Sequence, residues 1–266
     1  MYKKDFLFDF TRSVFMKMGC SENDSVIIAD VFLTAELRGH PSHGMIRLKD
    51  YFELWKAGRI NVKPDVRVVH ESPSTAVVDG DNAIGMVAAR RSMEIAIEKA
   101  ASAGTGWVAT HNSNHFGIAG YYSMMALEKD MIGICLTNAN PLVAPTFSIS
   151  RMMGTNPIAV AAPTDEAFPY MFDAATSVIP RGKIEVYARA NKPLPEGWVI
   201  NQDGVSATDS NNMIKEMDLG NVALLPVGGL GEMFGVHKGY GLATMVEIFS
   251  AAFQDGTYLW GLTDED

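Results

Sequence analysis

Two clusters in the 266-residue chain carry side chains able to move a proton and grip an acid. The first is Arg38-Gly39-His40-Pro41-Ser42-His43-Gly44-Met45-Ile46-Arg47-Leu48-Lys49-Asp50-Tyr51. If a helix opens near Ser42, then His43, Arg47 and Tyr51 recur at helical spacing and line one face. Imidazole titrates near neutral pH and can pass a proton. A guanidinium grips a carboxylate with two N–H bonds, and a tyrosine hydroxyl adds one more. Together they suit the turnover of a small hydroxy or keto acid, although the same spacing also fits a solvated polar face. The second cluster, His111-Asn112-Ser113-Asn114-His115-Phe116-Gly117-Ile118-Ala119-Gly120, follows an expected strand at Trp107–Thr110 and precedes a helix. Ligands of α/β proteins sit at such turns. His115 there can serve as a general acid–base, or simply belong to a helix-capping loop.

Three expected strand ends carry Asn, Asp or Thr: residues 136–140, 153–159 and 172–177. Clustered at one sheet edge they could bind ribose hydroxyls or a diphosphate; taken singly they are ordinary turn chemistry. The glycine run Gly229-Leu230-Gly231-Glu232-Met233-Phe234-Gly235 is one residue too long for the G-x-G-x-x-G dinucleotide fingerprint and lies late in the chain. A cofactor loop of another kind remains open there, since glycines let backbone N–H groups approach a ligand. No metal is expected. His111 and His115 have the spacing of a helical zinc pair, but Asn112, Ser113 and Asn114 form helix poorly and no Glu follows His111. Nucleophilic catalysis has no G-x-S-x-G to use, and neither Cys20 nor Cys135 stands beside a histidine. Both read as buried thiols.

These clusters need elements to hold them. The first 60 residues or so read as helices: Asp9–Met18, then a second opened by Ser21 with Asp24 as an approximate capping box, then Met45–Lys56 capped by Ser42. Val66–His70 and Ala76–Val78 read as a hairpin around Ser72-Pro73-Ser74. Val87–Ala101 is a helix, Trp107–Thr110 a strand, Ala119–Leu127 a helix and Ile132–Thr137 a strand. Such alternation argues for α/β layering. Further strands are expected at Pro157–Ala162, Tyr170–Asp173 and Val222–Val227, and helices at Gly182–Ala190 and Tyr240–Phe253. Residues 192–212, rich in Pro and Gly, read as a surface excursion. With no repeat or linker, one continuous domain over 1–266 is expected, with a helical part over about 1–60 and an α/β core over about 61–266. Apolar residues make up 47% and charged residues 20%, ordinary values for a globular protein. A net charge of −9 without a basic run gives no reason to expect a nucleic-acid partner. The longest apolar runs are too short to span a membrane. Asp5 and Asp9 stand where a signal peptide would be apolar, so a cytoplasmic location is expected.

In order along the chain, the motifs resemble the type-2 malate/L-lactate dehydrogenases, a group that includes ureidoglycolate, sulfolactate and diketogulonate dehydrogenases. The resemblance runs from about Ala35 to Val246. It rests on Leu37-Arg38-Gly39-His40-Pro41-Ser42-His43-Gly44, Val78-Asp79-Gly80-Asp81-Asn82, Asn112-Ser113-Asn114-His115-Phe116-Gly117, Leu142-Val143-Ala144-Pro145 and Gly154-Thr155-Asn156-Pro157. Ala175-Thr176-Ser177, Arg181-Gly182-Lys183, Pro195-Glu196-Gly197-Trp198 and His237-Lys238-Gly239-Tyr240-Gly241 continue it. Each motif alone is weak; their order is what carries weight.

The resemblance implies hydride transfer between NAD or NADP and a small 2-hydroxy acid such as malate or lactate. It implies a three-layer α/β/α fold around a large mixed sheet, not a Rossmann domain, and a homodimer. It also implies a further strand and helices after the His237–Gly241 motif, which this chain is expected to lack. Either His115 or His43 serves as acid–base, the loop position favouring His115. Arg47 pairs with the substrate carboxylate, Ser42 and Tyr51 assist, and Asn114 orients the substrate oxygen. Cofactor contacts are expected from Asn138, Asn156, Asp173, Ala174, Ala175, Leu224, Leu225, Pro226, His237, Lys238 and Gly239. The substrate range stays open, because Ala139-Asn140 fall where members differ. The alternative is an inactive or truncated member that only binds a metabolite or partner.

Overall fold

A computed structural model describes residues 2–262. The chain divides into two compact units. The first comprises Met1–Cys135, Ala159–Phe172 and Gln254–Gly256, and the second comprises Leu136–Ile158, Asp173–Phe253 and Thr257–Asp266.

The first unit opens with α1 (Lys4–Met18) and α2 (Glu22–Leu37). Gly19 ends α1 in a left-handed conformation, and the Ser21 hydroxyl accepts from the Asp24 N–H to cap α2. α3 (Leu48–Lys56) follows. β1 (Arg67–Glu71) and β2 (Thr75–Ala83) form the expected antiparallel hairpin, closed by Ser72 N–H donating to the Thr75 carbonyl at 2.9 Å. α4 (Gly85–Ala103) then crosses over to β3 (Trp107–Ser113), which pairs parallel to β2 with Val78 opposite Thr110 and Asp79 opposite His111. α5 (Ala119–Met125) leads through a 3₁₀ turn to β4 (Gly133–Leu136). β4 shares a sheet with β5 (Ile158–Ala162) and β6 (Tyr170–Ala174). The core gathers Phe15, Ile28, Val31, Phe32, Tyr51, Ile84, Met86 and Tyr122, all 2% exposed or less. Each such large side chain contributes roughly 1.5–3 kcal/mol when fully buried.

The second unit holds α6 (Arg181–Arg189), β7 (Val199–Asn201), α7 (Ser210–Asp218), β8 (Val222–Leu224) and α8 (Val236–Glu247). β7 and β8 pair antiparallel. Residues 192–212 are therefore not a surface excursion. Leu194, Val199 and Ile200 lie in the core, because the apolar Val199-Ile200 pair outweighs the Pro and Gly punctuation around it. The last helix also starts earlier than expected, at Val236, and passes into a π-helical turn over Ile248–Ala252. The described strands form sheets of three, three and two, not one large sheet; single bridges such as Val143–Met153 and Val143–Leu224 add pairing outside them. The whole is a mixed α/β protein.

Candidate active site

All the proposed acid–base and carboxylate-binding residues belong to the first unit. They do not share one face of a single helix. After α2 the chain makes two 3₁₀ turns, Pro41–His43 and Met45–Arg47, and α3 begins only at Leu48. The break falls at Gly44. The Glu36 carboxylate accepts the Met45 N–H at 2.8 Å, and a Cβ on Gly44 would run into that carboxylate. Glu36 thus fixes the turn, a role invisible in the helical spacing.

The broken path still brings the residues together. The His43 and His115 rings stack with centroids 5.7 Å apart at 20°. Ser42 Oγ is 3.0 Å from His43 Nδ1. Arg47 donates from Nε to the Ser42 carbonyl at 2.7 Å and from Nη1 to Asp50 Oδ2 at 3.0 Å. The Arg47–Asp50 pair is part-exposed, and such pairs contribute about 0–1 kcal/mol. A substrate carboxylate can therefore displace Asp50. Asp50 went unnoticed in the sequence, though its place three residues after Arg47 is the signal that finds it. Tyr51 is 2% exposed; its hydroxyl lies 2.6 Å from His115 Nδ1 and 2.8 Å from the His115 carbonyl oxygen.

The loop that presents His115 is braced on both sides. Asn114 Nδ2 reaches the Asn82 carbonyl, Asn82 Oδ1 and the Ala83 carbonyl at 2.9–3.1 Å, so only its Oδ1 is left for any other partner. Tyr122 donates its hydroxyl to the Phe116 carbonyl. Gly117 has φ +80°, and a Cβ there would sit 2.6 Å from Val31, so no other residue fits without strain.

Both imidazoles are held neutral. The protein crowded around His43, then the charge of Arg47 and of nearby His40, push its pKa down to about 4. His115 keeps a solvent-exposed side. Crowding on its other sides, followed by the repulsion that a protonated His43 would exert and by the charge of Arg47, lowers its pKa to about 4 as well. A neutral imidazole in solvent reach, beside a stacked twin and a guanidinium, is equipped to exchange a proton with an acidic ligand. Among the described residues, no group of three or more His, Cys, Asp or Glu side chains could hold a metal ion, and no helix is long and apolar enough to cross a membrane.

The cofactor candidates all lie in the second unit. His237 and Lys238 are exposed in the first turn of α8, whose N-terminus has no side-chain cap. An exposed lysine and histidine at a helix N-terminus suit an anionic diphosphate. Gly239 packs so closely on the Val227 backbone that a Cβ would clash. Asp173, Ala174 and Ala175 are half-buried at the end of β6. Leu224, Leu225 and Pro226 are buried, and the Leu224 and Leu225 N–H groups are spent on the Leu142 and Trp198 carbonyls. Asn156 is fully buried at φ +35°. It donates to Glu247 Oε2 at 2.8 Å and to the Ala243 carbonyl at 3.0 Å, and accepts the Ala139 N–H at 3.1 Å. Asn138 donates to Glu247 Oε1 at 3.1 Å and to the Thr257 carbonyl at 3.0 Å. Glu247, unremarked in the sequence, organises both asparagines.

The sequence matches the malate/L-lactate dehydrogenase family profile over residues 2–266. It is 51% identical to malate dehydrogenase of Pyrococcus horikoshii over 96% of this chain and 69% of that relative. It is 44% identical to L-sulfolactate dehydrogenase of Methanocaldococcus jannaschii over 90% of this chain and 65% of that relative. The crystal structure of malate dehydrogenase from Entamoeba histolytica superposes with a TM-score of 0.94 at 40% identity, covering 97% of this chain and 72% of that one. A profile match over nearly every residue, together with relatives of this identity, settles the question of descent: the chain belongs to the malate/L-lactate dehydrogenase family and is a 2-hydroxy-acid dehydrogenase.

Proposed function

We propose that this dehydrogenase interconverts a small 2-hydroxy acid of the malate, sulfolactate or lactate type with its 2-oxo acid, with His115 as the acid–base group. One observation carries the reading: His115 stacks on His43 in the cluster that also holds Arg47, and it retains a solvent-exposed side. When bound, NAD or NADP supplies the hydride acceptor or donor. His115 takes the hydroxyl proton during oxidation and returns it to the carbonyl oxygen during reduction. Arg47, released from Asp50, holds the substrate carboxylate. His43, oriented by Ser42, lines the same site, and Asn114 Oδ1 orients the substrate oxygen. The Lys238 and His237 side chains at the N-terminus of α8, with Gly239, hold the cofactor diphosphate. Asp173, Ala174, Ala175 and Pro226 line its site, while Asn138, Asn156, Leu224 and Leu225 support it from behind. The reading includes an α/β/α layering distinct from a Rossmann domain, a homodimer and a cytoplasmic enzyme.

The direct test is reduced-cofactor absorbance with malate, sulfolactate, lactate and ureidoglycolate, each with both cofactors. Turnover of none of them would leave the inactive binder in its place. Two further outcomes follow. Arg47→Lys is expected to keep the fold and raise KM for the carboxylate substrate on the order of 10–100-fold, because lysine keeps the charge and loses the two-pronged geometry. An unchanged KM removes Arg47 from the site. Prolonged dialysis against a chelator is expected to leave activity intact; loss that zinc restores reverses the metal-free mechanism.

A further inference from the structure

We propose that Tyr51 is a positioning residue that fixes the tautomer of His115, keeping the proton on Nδ1 so that Nε2 presents its lone pair to the substrate hydroxyl. The consequence for catalysis rests on the acid–base role given to His115 above; the tautomer itself belongs to the substrate-free protein.

The argument is one of proton counting. The Tyr51 oxygen lies within hydrogen-bond reach of two atoms of the same residue, the His115 carbonyl oxygen at 2.8 Å and the His115 Nδ1 at 2.6 Å. A phenol has one proton to give, and a carbonyl oxygen has none. If the tyrosine proton went to Nδ1, two oxygens would face each other at 2.8 Å with no proton between them. If it goes to the carbonyl, the phenol oxygen turns its lone pairs to Nδ1, and Nδ1 must be the donor. Only the second arrangement satisfies both short contacts: Nδ1–H donates to the Tyr51 oxygen, and the Tyr51 O–H donates to the His115 carbonyl. The competing interaction is the Gly117 N–H, 3.4 Å from Nδ1, which favours an unprotonated Nδ1. At that length it is much the weaker contact.

Tyr51 is fixed well enough to impose this choice. Its ring meets Phe15 edge-on at 6.1 Å and Phe32 at 5.5 Å. Burial drives its hydroxyl pKa far above the ordinary phenol value, so it keeps its proton. At 2% exposure it has no room to bind substrate itself. Its influence passes through His115.

The test is a long-range ¹H–¹⁵N spectrum of the full chain labelled at histidine nitrogens, recorded near neutral pH without substrate, with His115 identified by the signals lost in His115→Gln. The expected spectrum shows a protonated Nδ1 and an unprotonated Nε2. In Tyr51→Phe, Nδ1 keeps only the Gly117 N–H, so the proton is expected to move to Nε2. Oxidation kcat should then fall by about 10²-fold with KM nearly unchanged, short of the ~10⁴ recorded for a wrong tautomer in the serine-protease triad. An Nε2–H or mixed tautomer in the wild type overturns the proposal, as does a Tyr51→Phe protein that retains the Nδ1 proton. If the variant fails to fold, the wild-type spectrum decides alone. A confirmed tautomer in a protein whose His115→Asn variant keeps full activity would sink the acid–base assignment and leave this inference standing.

Discussion

His115→Asn is expected to lower kcat/KM for hydroxy-acid oxidation by about 10²–10⁴-fold, the range lost when a positioned acid–base group is removed. His43→Asn, by contrast, is expected to act mainly on KM. The pH profile supplies the second half of the test. Oxidation needs the neutral ring. With His115 lowered to about 4, kcat/KM for oxidation should rise with pH through that region and be level well before neutrality. Reduction needs the imidazolium and should fall with increasing pH through the same group. A bound substrate carboxylate raises this pKa, so the midpoint of kcat should lie above that of kcat/KM. The acid limb should vanish in His115→Asn and persist in His43→Asn; the reverse pattern would transfer the role to His43, and two unaltered profiles would end the mechanism. The same shifts bear on the fold. Both histidines are harder to protonate folded than unfolded. The unfolded chain therefore binds more protons between about 6.5 and about 4, and stability is lost as pH falls through that window.

The features legible in the sequence are those set by near neighbours. The Ser21 cap, the Ser72–Thr75 hairpin, the α4 helix and the β3 strand after it all follow from local propensity and period, and the structure has them. The site was legible in its residue types but not in its geometry. His43, Arg47 and Tyr51 looked like one helical face; the break at Gly44 depends on Glu36, whose carboxylate reaches past the end of its own helix. Tyr51 and His115 are 64 residues apart, and no spacing rule links a phenol to an imidazole across α4 and β3. The 192–212 segment misled because Pro and Gly report local backbone shape and not burial. Here they flank a strand that pairs with β8. The protein partner that Asn138 and Asn156 share was not legible, because an asparagine's partner is set by tertiary structure. Theirs is Glu247, 109 residues beyond Asn138.

That carboxylate gives the largest expected effect on stability. Glu247 is 8% exposed and accepts three hydrogen bonds: from Asn138 and the Leu259 N–H at Oε1, and from Asn156 at Oε2. Glu247→Ala removes both acceptor oxygens, with all three hydrogen bonds, and leaves the Asn156 amide in the core short of a partner. An unsatisfied buried donor costs about 1–3 kcal/mol, and the vacated volume adds to it. A loss of roughly 3–5 kcal/mol is expected, a large share of the 5–15 kcal/mol typical of a folded domain. Glu247→Gln separates charge from shape. Its amide oxygen can still serve one side, but its NH₂ faces donors on the other, so roughly 1–3 kcal/mol should go. Urea unfolding followed by tryptophan fluorescence reads this directly, since the second unit contains Trp198 and Trp260. Equal midpoints for wild type and Glu247→Ala would show that the asparagines are held by their other bonds alone. If the knot matters as argued, Asn138→Ala should cost less than Glu247→Ala, because the Leu259 N–H still holds the same carboxylate oxygen and Asn156 still holds the other.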